Sequence, residues 1–356
     1  MKNYIDAADH KIVFNDDGYS FISKLLIENR YSKIFILVDC NSHEYCLQYF
    51  LENLATEILI EIIEIEDGEE NKNIQTCVEI WKALTELGAD RKSVLISLGG
   101  GVVTDIGGFV ASTFKRGIDF IHVPTTLLAM VDASIGGKNG VDLDHLKNQI
   151  GIIRNPKTIL IDSFFLKTLP ENQLKSGMAE MLKHGLIFDE TYWDKFYDLK
   201  NLDFQTLDTL IYESIVIKNT IVTQDPTENG IRKALNFGHT LGHAIESYFL
   251  ESETKTKLLH GEAIAVGMIL ESFLSREHNL ISDQRYQNVK TKLKNIFPFV
   301  QIESQDHQPI LELLIHDKKN EYGSIQFVLL DQVGNTKQNQ IVNNDLIIRA
   351  FDDYKI

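Results

Sequence analysis

The sequence contains few cysteines and prolines, and long apolar runs are missing from it. Among 356 residues there are 3 Cys and 6 Pro, and Cys40, Cys46 and Cys77 have spacings unlike those of metal-binding motifs. We expect these thiols to be buried small hydrophobic groups rather than a disulfide framework. No stretch has 18 uninterrupted apolar residues, and residues 1–6 lack the apolar core of a signal peptide. A soluble, cytoplasmic protein is therefore expected.

Basic side chains are also scarce. The chain has 35 Lys and Arg against 51 Asp and Glu, a net charge of -16. This balance argues against nucleic acid or an anionic membrane as the main partner, so an anionic substrate would need a local basic pocket. The fractions of hydrophobic (44%) and charged (24%) residues are those of an ordinary globular protein, which excludes disordered and collagen-like classes.

Two domains are predicted. In residues 1–162 short apolar runs alternate with helical patterns, which is typical of a parallel, Rossmann-like α/β domain. In residues 163–356 long helical patterns predominate, which predicts a mainly α-helical domain. The predicted strands are Ile34–Asp39, Glu57–Ile65, Ser93–Leu98, Phe120–Val123 and Thr158–Asp162. The predicted helices are His43–Leu54, Ile74–Leu87, Val102–Thr113, Pro170–Ile187, Asp203–Val222, Leu235–Phe249, Gly261–Glu277, Asp283–Ile296 and Asp345–Tyr354, and a small hairpin is expected from Gly323–Leu330 with Gln340–Val342.

A glycine run, Gly99–Gly101, separates the third predicted strand from a helix. A strand, a glycine turn and a helix N-terminus together offer backbone N–H groups and a favourable dipole to a pyrophosphate. The run is not the G-x-G-x-x-G fingerprint, so a nucleotide site and a tight structural turn both remain open. Asp39 ends the first strong strand, at the sheet edge where ligands of α/β folds bind.

A second glycine-rich stretch, residues 124–140, follows the fourth predicted strand. Thr125 and Thr126 are candidates to cap the next helix. Asp132 and Lys138 lie among small and apolar residues, which predicts a loop shaped for backbone approach to a ligand. Lys147 and Asn148 continue the polar trend.

A polar stripe is predicted in the second domain. Arg232, Asn236, His239 and His243 are spaced 4, 3 and 4 and would share one face of a helix. Two imidazoles four residues apart suit one divalent cation.

The further ligands of such a cation must come from other helices. We choose Glu180, His239 and His260, a set that suits Zn²⁺. His243 is then either a fourth ligand or a second-sphere acid/base group. The alternative ligands are Glu246, Glu262 and His184.

Several Lys and Arg residues, together with two Asn residues, are candidates to bind an anion. Such groups in an acidic protein predict a substrate with phosphate, carboxylate or both. They are Arg116, Lys138, Lys147, Lys183, Lys218, Arg232 and Lys318, with Asn148 and Asn236. A metal that binds a hydroxyl would favour hydride transfer to a nicotinamide.

From about residue 30 to 330 the chain resembles the 3-dehydroquinate synthase family of sugar-phosphate cyclases. The motifs that carry the resemblance are Gly68–Lys72, Gly99–Phe109, Arg116-Gly117, Pro124–Gly140, Lys147–Gly151, Leu166–Pro170, Ala179-Glu180 with Lys183-His184, Asn236–Glu246, His260–Glu262 and Asp317–Lys319.

The resemblance implies a set of ligands. Zn²⁺ (or Co²⁺) would be bound by Glu180, His239 and His260. NAD⁺ is expected at Asp39, Glu69, Lys72, Gly100, Gly101, Asp105, Thr125, Thr126 and Thr168, with Lys138 and Lys147 alongside. The expected substrate is 3-deoxy-D-arabino-heptulosonate 7-phosphate. Its phosphate would meet Lys138, Asn148, Asn236, His243 and Arg116, its carboxylate Lys218, Arg232 and Lys318, and its ring hydroxyls Asp132 and Lys183.

The reaction implied is transient oxidation by NAD⁺, phosphate elimination, reduction and intramolecular aldol closure to 3-dehydroquinate. A homodimer is expected, in which Arg116 reaches the neighbouring active site. The chain departs from the family pattern at Thr104, Ala133, Asn139, Asp142 and Leu146, and Leu146 affects the expected loop beside Lys147. Competing hypotheses are a metal-dependent NAD polyol or glycerol-phosphate dehydrogenase of the same superfamily and a nucleotide-sensing protein without turnover.

Overall fold

A computed structural model describes residues 4–144, 146–196, 203–314 and 325–356. The chain forms two compact units, Met1–Pro170 and Glu171–Ile356. The first unit thus ends at Pro170 rather than at Asp162, the last residue of the predicted first domain. A short 3-10 helix, Ser163–Lys167, follows the last strand of this unit, and Asp162 caps it by accepting a hydrogen bond from the Phe164 backbone N–H (3.0 Å).

The described part of the first unit contains a seven-stranded sheet and a separate hairpin. Its strands are β1 (Tyr4–Asp6), β2 (Lys11–Phe14), β3 (Ile34–Asp39), β4 (Ile60–Ile65), β5 (Val94–Gly99), β6 (Asp119–Pro124), β7 (Lys138–Leu143), β8 (Leu146–Ile153) and β9 (Thr158–Ile161). The sheet order is β1-β2-β9-β6-β5-β3-β4, and only the β1–β2 pairing is antiparallel among its described pairs. β7 and β8 form the hairpin.

Helices flank this sheet. They are α1 (Asn15–Asn29), α2 (Cys40–Ser42), α3 (Gln48–Asn53), α4 (Ile74–Glu86) and α5 (Gly101–Thr113), with π-helices at His43–Leu47 and Ala129–Ala133. Residues of β3 and β5 are almost all buried, as expected for central parallel strands covered on both faces. The Rossmann-like fold class is confirmed, and each of the five predicted strands is present with small shifts at its ends.

One prediction in this unit is wrong. The glycine-rich stretch up to Gly140 was expected to be a loop, but Lys138–Leu143 is a strand that pairs with β8. Gly140 faces Gly151 across the hairpin, and a Cβ at Gly140 would lie 2.6 Å from the Ile150 carbonyl oxygen. The glycines therefore permit close strand pairing rather than loop flexibility.

The second unit is mainly helical, as predicted. Its elements are α6 (Glu171–Phe188), α7 (Glu190–Asp194), α8 (Phe204–Gln224), α9 (His239–Glu251), α10 (His260–Glu277), α11 (Asp283–Ile296), α12 (Ser304–Leu314), β10 (Gln326–Gln332), β11 (Asn335–Ile341) and α13 (Asn344–Tyr354). The small hairpin is confirmed as β10 and β11. The sequence did not predict α12, which contains Pro309, a residue unfavourable inside helices. Within the described ranges, helices with the length and apolarity to cross a bilayer are absent.

Glycine contacts hold α6, α9 and α10 together. A Cβ at Gly261, in the first turn of α10, would lie 2.2 Å from the Ser176 carbonyl oxygen of α6. A Cβ at Gly267 would lie 1.9 Å from the Gly238 carbonyl oxygen at the start of α9. Only glycine permits these close approaches of backbone to backbone. They set the positions of Glu180 on α6, His239 on α9 and His260 on α10.

Candidate active site

The predicted polar stripe does not lie on one helix. Arg232 and Asn236 belong to a 3-10 helix, Ile231–Asn236, whereas His239 begins α9. Phe237 has an extended ψ of 132°, and Gly238 has a left-handed φ of 78°, which breaks the helical path between them. The prediction of a single helix from Leu235 to Phe249 is therefore wrong at its start, and only His239 and His243 share a helix.

Three imidazoles converge in the second unit. One ligand atom from each of His239, His243 and His260 lies within 4.8 Å of the others, a group that could hold a metal ion. The ring centroid of His239 lies 5.0 Å from that of His243 and 5.6 Å from that of His260. His239 is buried and the other two are half-buried.

Glu180 approaches the same cluster from α6. Its Oε1 lies 3.5 Å from Nε2 of His239 and 3.7 Å from Nε2 of His260. Its Oε2 is in contact with Nζ of Lys183, one helical turn further on, and both side chains are fully buried. One carboxylate oxygen thus faces two imidazole nitrogens, while the other is charge-paired. A donor set of this kind fits Zn²⁺ or Co²⁺.

Hydrogen bonds at Nδ1 orient both rings so that Nε2 faces Oε1 of Glu180. His239 Nδ1 lies 3.1 Å from the Phe237 carbonyl oxygen, and His260 Nδ1 lies 3.2 Å from Oε2 of Glu246. Since both partners are acceptors, each Nδ1 carries a proton. Burial opposes the charged ring of His260, but Glu246 and then Glu180 raise its pKa to about 9. A carboxylate behind a ligating imidazole raises its basicity as a ligand.

The alternative ligands have other contacts. Glu246 supports His260 from behind. Glu262 Oε2 accepts a hydrogen bond from the Leu259 N–H (2.9 Å) and so caps α10. His184 Nδ1 lies 2.8 Å from the Ser214 hydroxyl in the core of the unit. These geometries favour Glu180 over the two rival carboxylates.

In the first unit, the glycine turn connects β5 to α5. Gly100 is the N-cap of α5, and a Cβ on it would lie 3.2 Å from Cγ2 of Thr126. The Thr125 N–H donates to the Gly99 carbonyl (2.9 Å), and Thr126 Oγ1 accepts from the Ala129 N–H (3.2 Å). The turn therefore presents the N-terminus of a 13-residue helix, where the dipole favours an anion.

Lys72 is the centre of a polar group beside this turn. Its Nζ lies 2.6 Å from Oδ2 of Asp105 and donates to Oδ1 of Asn148 (2.7 Å). Burial opposes its charge, but the negative charges of Asp105 and then Glu69 raise the pKa of Lys72 above its usual value. Nearby, Lys147 Nζ lies 3.6 Å from Oε1 of Glu69. The structure thus brings together residues expected to bind the nucleotide and residues expected to bind the substrate phosphate.

Two departures from the family pattern shape the hairpin next to this group. The Asn139 amide donates to the carbonyls of Gly137 and Arg154, both at 2.8 Å. Asp142 Oδ1 accepts from the Asn148 N–H (2.5 Å), which fixes Asn148 at a φ of 51°. Asn139 therefore satisfies backbone carbonyls at the open end of the hairpin, and Asp142 satisfies a backbone N–H of β8.

The remaining predicted residues of the first unit lie at its surface or edges. Asp39 caps α2 by accepting from the Ser42 N–H (2.7 Å), and Asp132 is half-buried on the second π-helix. Lys138 is exposed at the start of β7. Thr168 is exposed and donates to the Phe165 carbonyl (3.2 Å). Arg116 is exposed and has a left-handed φ of 67°.

In the second unit Lys218 is buried on α8, and Arg232 is also buried. Asp225, which the sequence analysis missed, accepts hydrogen bonds from the backbone N–H groups of Gly230 (2.7 Å) and Arg232 (3.1 Å). Asn236 donates to Glu228 (2.8 Å). The Asp-Pro and Asn-Gly pairs of residues 225–230 are turn signals that could have indicated this loop. Lys318 lies outside the described residues.

The chain has the fold of the sugar-phosphate cyclases, a Rossmann-like unit followed by a helical unit, and the helical unit carries the imidazole–carboxylate cluster. Residues 62–176 match the family model described as 3-dehydroquinate synthase N-terminal, and residues 177–320 match that described as 3-dehydroquinate synthase C-terminal. The chain belongs to the 3-dehydroquinate synthase family and is a lyase-class cyclase.

Individual relatives agree with this assignment. The 3-dehydroquinate synthase of Parabacteroides distasonis is 40% identical over 351 residues, 98% of each chain. That of Leptospira interrogans is 40% identical over 331 residues, 91% of this chain and 89% of the relative. Among solved structures, 2-deoxy-scyllo-inosose synthase complexed with carbaglucose-6-phosphate, NAD⁺ and Co²⁺ is similar with a TM-score of 0.85 and 27% identity, over 98% of this chain and 99% of that one.

Proposed function

We propose that this enzyme converts 3-deoxy-D-arabino-heptulosonate 7-phosphate into 3-dehydroquinate and phosphate, a step of the shikimate pathway. The family and the relatives support the reaction. The observation that carries the chemistry is the position of Glu180 Oε1, which lies within 3.7 Å of two imidazole Nε2 atoms while Lys183 contacts the other oxygen. A site of this kind is suited to an anionic, hydroxylated substrate.

The cofactors are NAD and a divalent metal. A solved relative with 27% identity is complexed with NAD⁺ and Co²⁺, and the N/O donor set here suits Zn²⁺ as well as Co²⁺. We propose Glu180, His239 and His260 as ligands and His243 as a second-sphere acid/base group. Bound there, the cation supplies Lewis-acid polarisation of a substrate hydroxyl, and the nicotinamide supplies a reversible hydride acceptor.

Lys183 has two tasks in this proposal. Its ammonium group neutralises Oε2 of Glu180 and thereby stabilises a fully buried carboxylate. We propose that the remaining ammonium protons donate to a ring hydroxyl of the substrate. We also propose that the carboxylate of Asp132 accepts a hydrogen bond from a ring hydroxyl. The buried setting of Lys183 strengthens its electrostatic contacts.

The anionic groups of the substrate are assigned to separate cations. We propose that Lys138, Asn148, Asn236, His243 and Arg116 of the partner subunit bind the phosphate, and that Lys218, Arg232 and Lys318 bind the carboxylate. Arg232 is well suited because Asp225 holds its backbone and its guanidinium donates to the Pro226 carbonyl (2.8 Å), which orders the side chain. A preordered guanidinium loses little entropy when it binds an anion.

The nucleotide is assigned to the first unit. We propose that the N–H groups of Gly100 and Gly101 at the start of α5 bind the pyrophosphate, with Thr125 and Thr126 beside them. Asp39, Glu69, Lys72, Asp105 and Thr168 are the other proposed contacts. The Lys72–Asp105 pair supports this assignment because it fixes a cation next to the helix N-terminus.

A homodimer is proposed in which Arg116 enters the active site of the partner subunit. Lys115, Arg116 and Gly117 have positive φ values of 49°, 67° and 109°, and this turn leaves Arg116 exposed. Non-glycine residues in that region are strained, and such strain is often found at functional sites. A cytoplasmic location is also proposed, since Cys40, Cys46 and Cys77 are free thiols and thiols persist in reducing compartments.

The test is to mix the purified protein with the heptulosonate phosphate, NAD⁺ and Zn²⁺ and to assay phosphate, dehydroquinate and NADH. We expect equal amounts of phosphate and dehydroquinate with catalytic NAD⁺ and without lasting NADH. Stoichiometric accumulation of NADH would support the polyol or glycerol-phosphate dehydrogenase instead. Absence of turnover with bound NAD⁺ would support a nucleotide sensor.

A further inference from the structure

A buried carboxylate outside the proposed ligand set contacts the start of α9. Glu271, on α10, is fully buried. Its Oε2 accepts from the Gly238 N–H (2.6 Å), and its Oε1 accepts from the Leu241 N–H (3.2 Å). The first N–H groups of a helix have no partner within it, and negative charge is favoured there. Glu271, which belongs to α10, therefore caps the N-terminus of α9, the helix that carries His239 and His243.

The same contact continues to the imidazole of His239. The Gly238 N–H and the Phe237 carbonyl are the two ends of one peptide group, and the carbonyl accepts from His239 Nδ1 (3.1 Å). The sequence of bonds is carboxylate, peptide group, imidazole. Hydrogen bonds in such a chain polarise one another, so a carboxylate at the N–H end strengthens the acceptor at the carbonyl end.

One face of α10 carries His260 together with Gly267 and Glu271, the two residues that contact Gly238. His260, Gly267 and Glu271 are spaced 7 and 4 residues apart, which places them on the same side of the helix. Gly267 permits the backbone contact with Gly238 that brings Glu271 within reach. Nδ1 of His260 contacts the carboxylate of Glu246 directly. The carboxylate of Glu271 contacts the Phe237–Gly238 peptide group, which in turn contacts Nδ1 of His239.

We propose that Glu271 is a positioning residue of the metal centre, which acts through the Phe237–Gly238 peptide to hold His239 in the Nδ1–H tautomer with Nε2 directed to the cation. This inference rests on the proposed function, because it assigns a role toward the same metal. It adds a residue of α10 that contacts the peptide group before His239. Partners behind ligating histidines typically contribute 10- to 100-fold in metal affinity, so an effect of roughly that size is expected.

The test compares Glu271→Gln with the wild type, using Zn²⁺ affinity by chelator competition and the visible absorption bands of the Co²⁺-loaded protein. Gln keeps the volume but offers one acceptor oxygen to two N–H donors. We expect roughly 10- to 100-fold weaker Zn²⁺ binding and altered Co²⁺ bands. Glu246→Gln should show a comparable loss through His260. The neighbouring buried Ser272→Ala should bind Zn²⁺ as the wild type does.

Several outcomes would overturn the proposal. A folded Glu271→Gln protein with wild-type Zn²⁺ affinity and Co²⁺ bands would do so, even if it were less stable, because Glu271 would then only cap the helix. Should the variant not fold, ¹⁵N NMR of the metal-free wild type tests the premise of the proposal: the Nδ1–H tautomer of His239 supports it, and the Nε2–H tautomer contradicts it. If wild-type protein binds no Zn²⁺, the proposed function fails, while the tautomer still tests the contact with Phe237.

Discussion

Lys72 and Asp105 form an ion pair with Nζ 2.6 Å from Oδ2, in which only 6% of the lysine side chain and 17% of the aspartate side chain are exposed. Removing one partner of a buried pair leaves an uncompensated charge. We therefore expect Lys72→Met to lower the free energy of unfolding by roughly 3–5 kcal/mol and to weaken NAD⁺ binding. Urea denaturation and NAD⁺ titration measure the two effects. Lys82→Met, which removes a lysine paired with Glu79 on the surface of α4, is the control and should change neither.

Metal retention tests the ligand assignment. His239→Ala should abolish both bound Zn²⁺ and activity, since its Nε2 is one of the two imidazole atoms that face Glu180. Metal analysis after gel filtration, together with the phosphate assay, checks this. His278→Ala, just beyond the other end of α10, should retain the metal. Stoichiometric zinc with full activity in the His239 variant would contradict the assignment.

Lys218 tests the carboxylate site. Because charge-assisted hydrogen bonds contribute about 1.5–3 kcal/mol, Lys218→Ala should lower kcat/KM for the heptulosonate phosphate by roughly 10- to 100-fold. Steady-state kinetics provide the measurement, with circular dichroism to verify that the variant is folded. Lys195→Ala removes an exposed lysine paired with Glu213 and should leave the kinetics unaltered. Wild-type kinetics for the Lys218 variant would argue against the substrate proposed here.

His122 should make stability depend on pH. It is buried in β6, and burial lowers its pKa to about 3, against an ordinary value of 6.5. Between these values the unfolded chain binds one more proton than the folded chain, so the free energy of unfolding rises with pH, by up to about 1.4 kcal/mol per unit, and levels off above 6.5. His122→Gln should remove this part of the slope. Urea denaturation from pH 4.5 to 7.5 measures it, and parallel curves for both proteins would refute the prediction.

Local patterns in the sequence predicted most of the elements. The strands β3 and β5 are nearly continuous apolar runs, and α11 has clear helical periodicity. Motif spacing also selected Glu180, His239 and His260, which the structure brings close together. Their roles as ligands stay predictions, as do the assigned roles of the other site residues.

Tertiary contacts determined the features that the sequence did not predict. Helical spacing predicted Arg232 and His239 on one helix. In the structure Gly238, which contacts Gly267, has a left-handed backbone conformation and separates Arg232 from the helix of His239. β7 was expected to be a loop because its glycine, Gly140, is a loop signal in the sequence, whereas in the structure it pairs with Gly151 of β8. Glu271 is separated from Gly238 by 33 residues, and local periodicity contains no information about such a contact.

The change from 3-10 helix to α-helix at Phe237 and Gly238 has a consequence for how the enzyme can vary. Arg232 and Asn236 depend on the turn around Asp225 and Glu228, whereas His239 and His243 depend on α10. Exchanges in residues 225–236 can therefore alter the preference for one anionic substrate over another while the cation site stays intact. Because of the helix break, substitutions that change substrate preference can be separated from substitutions that change the metal site, both in natural divergence and in redesign.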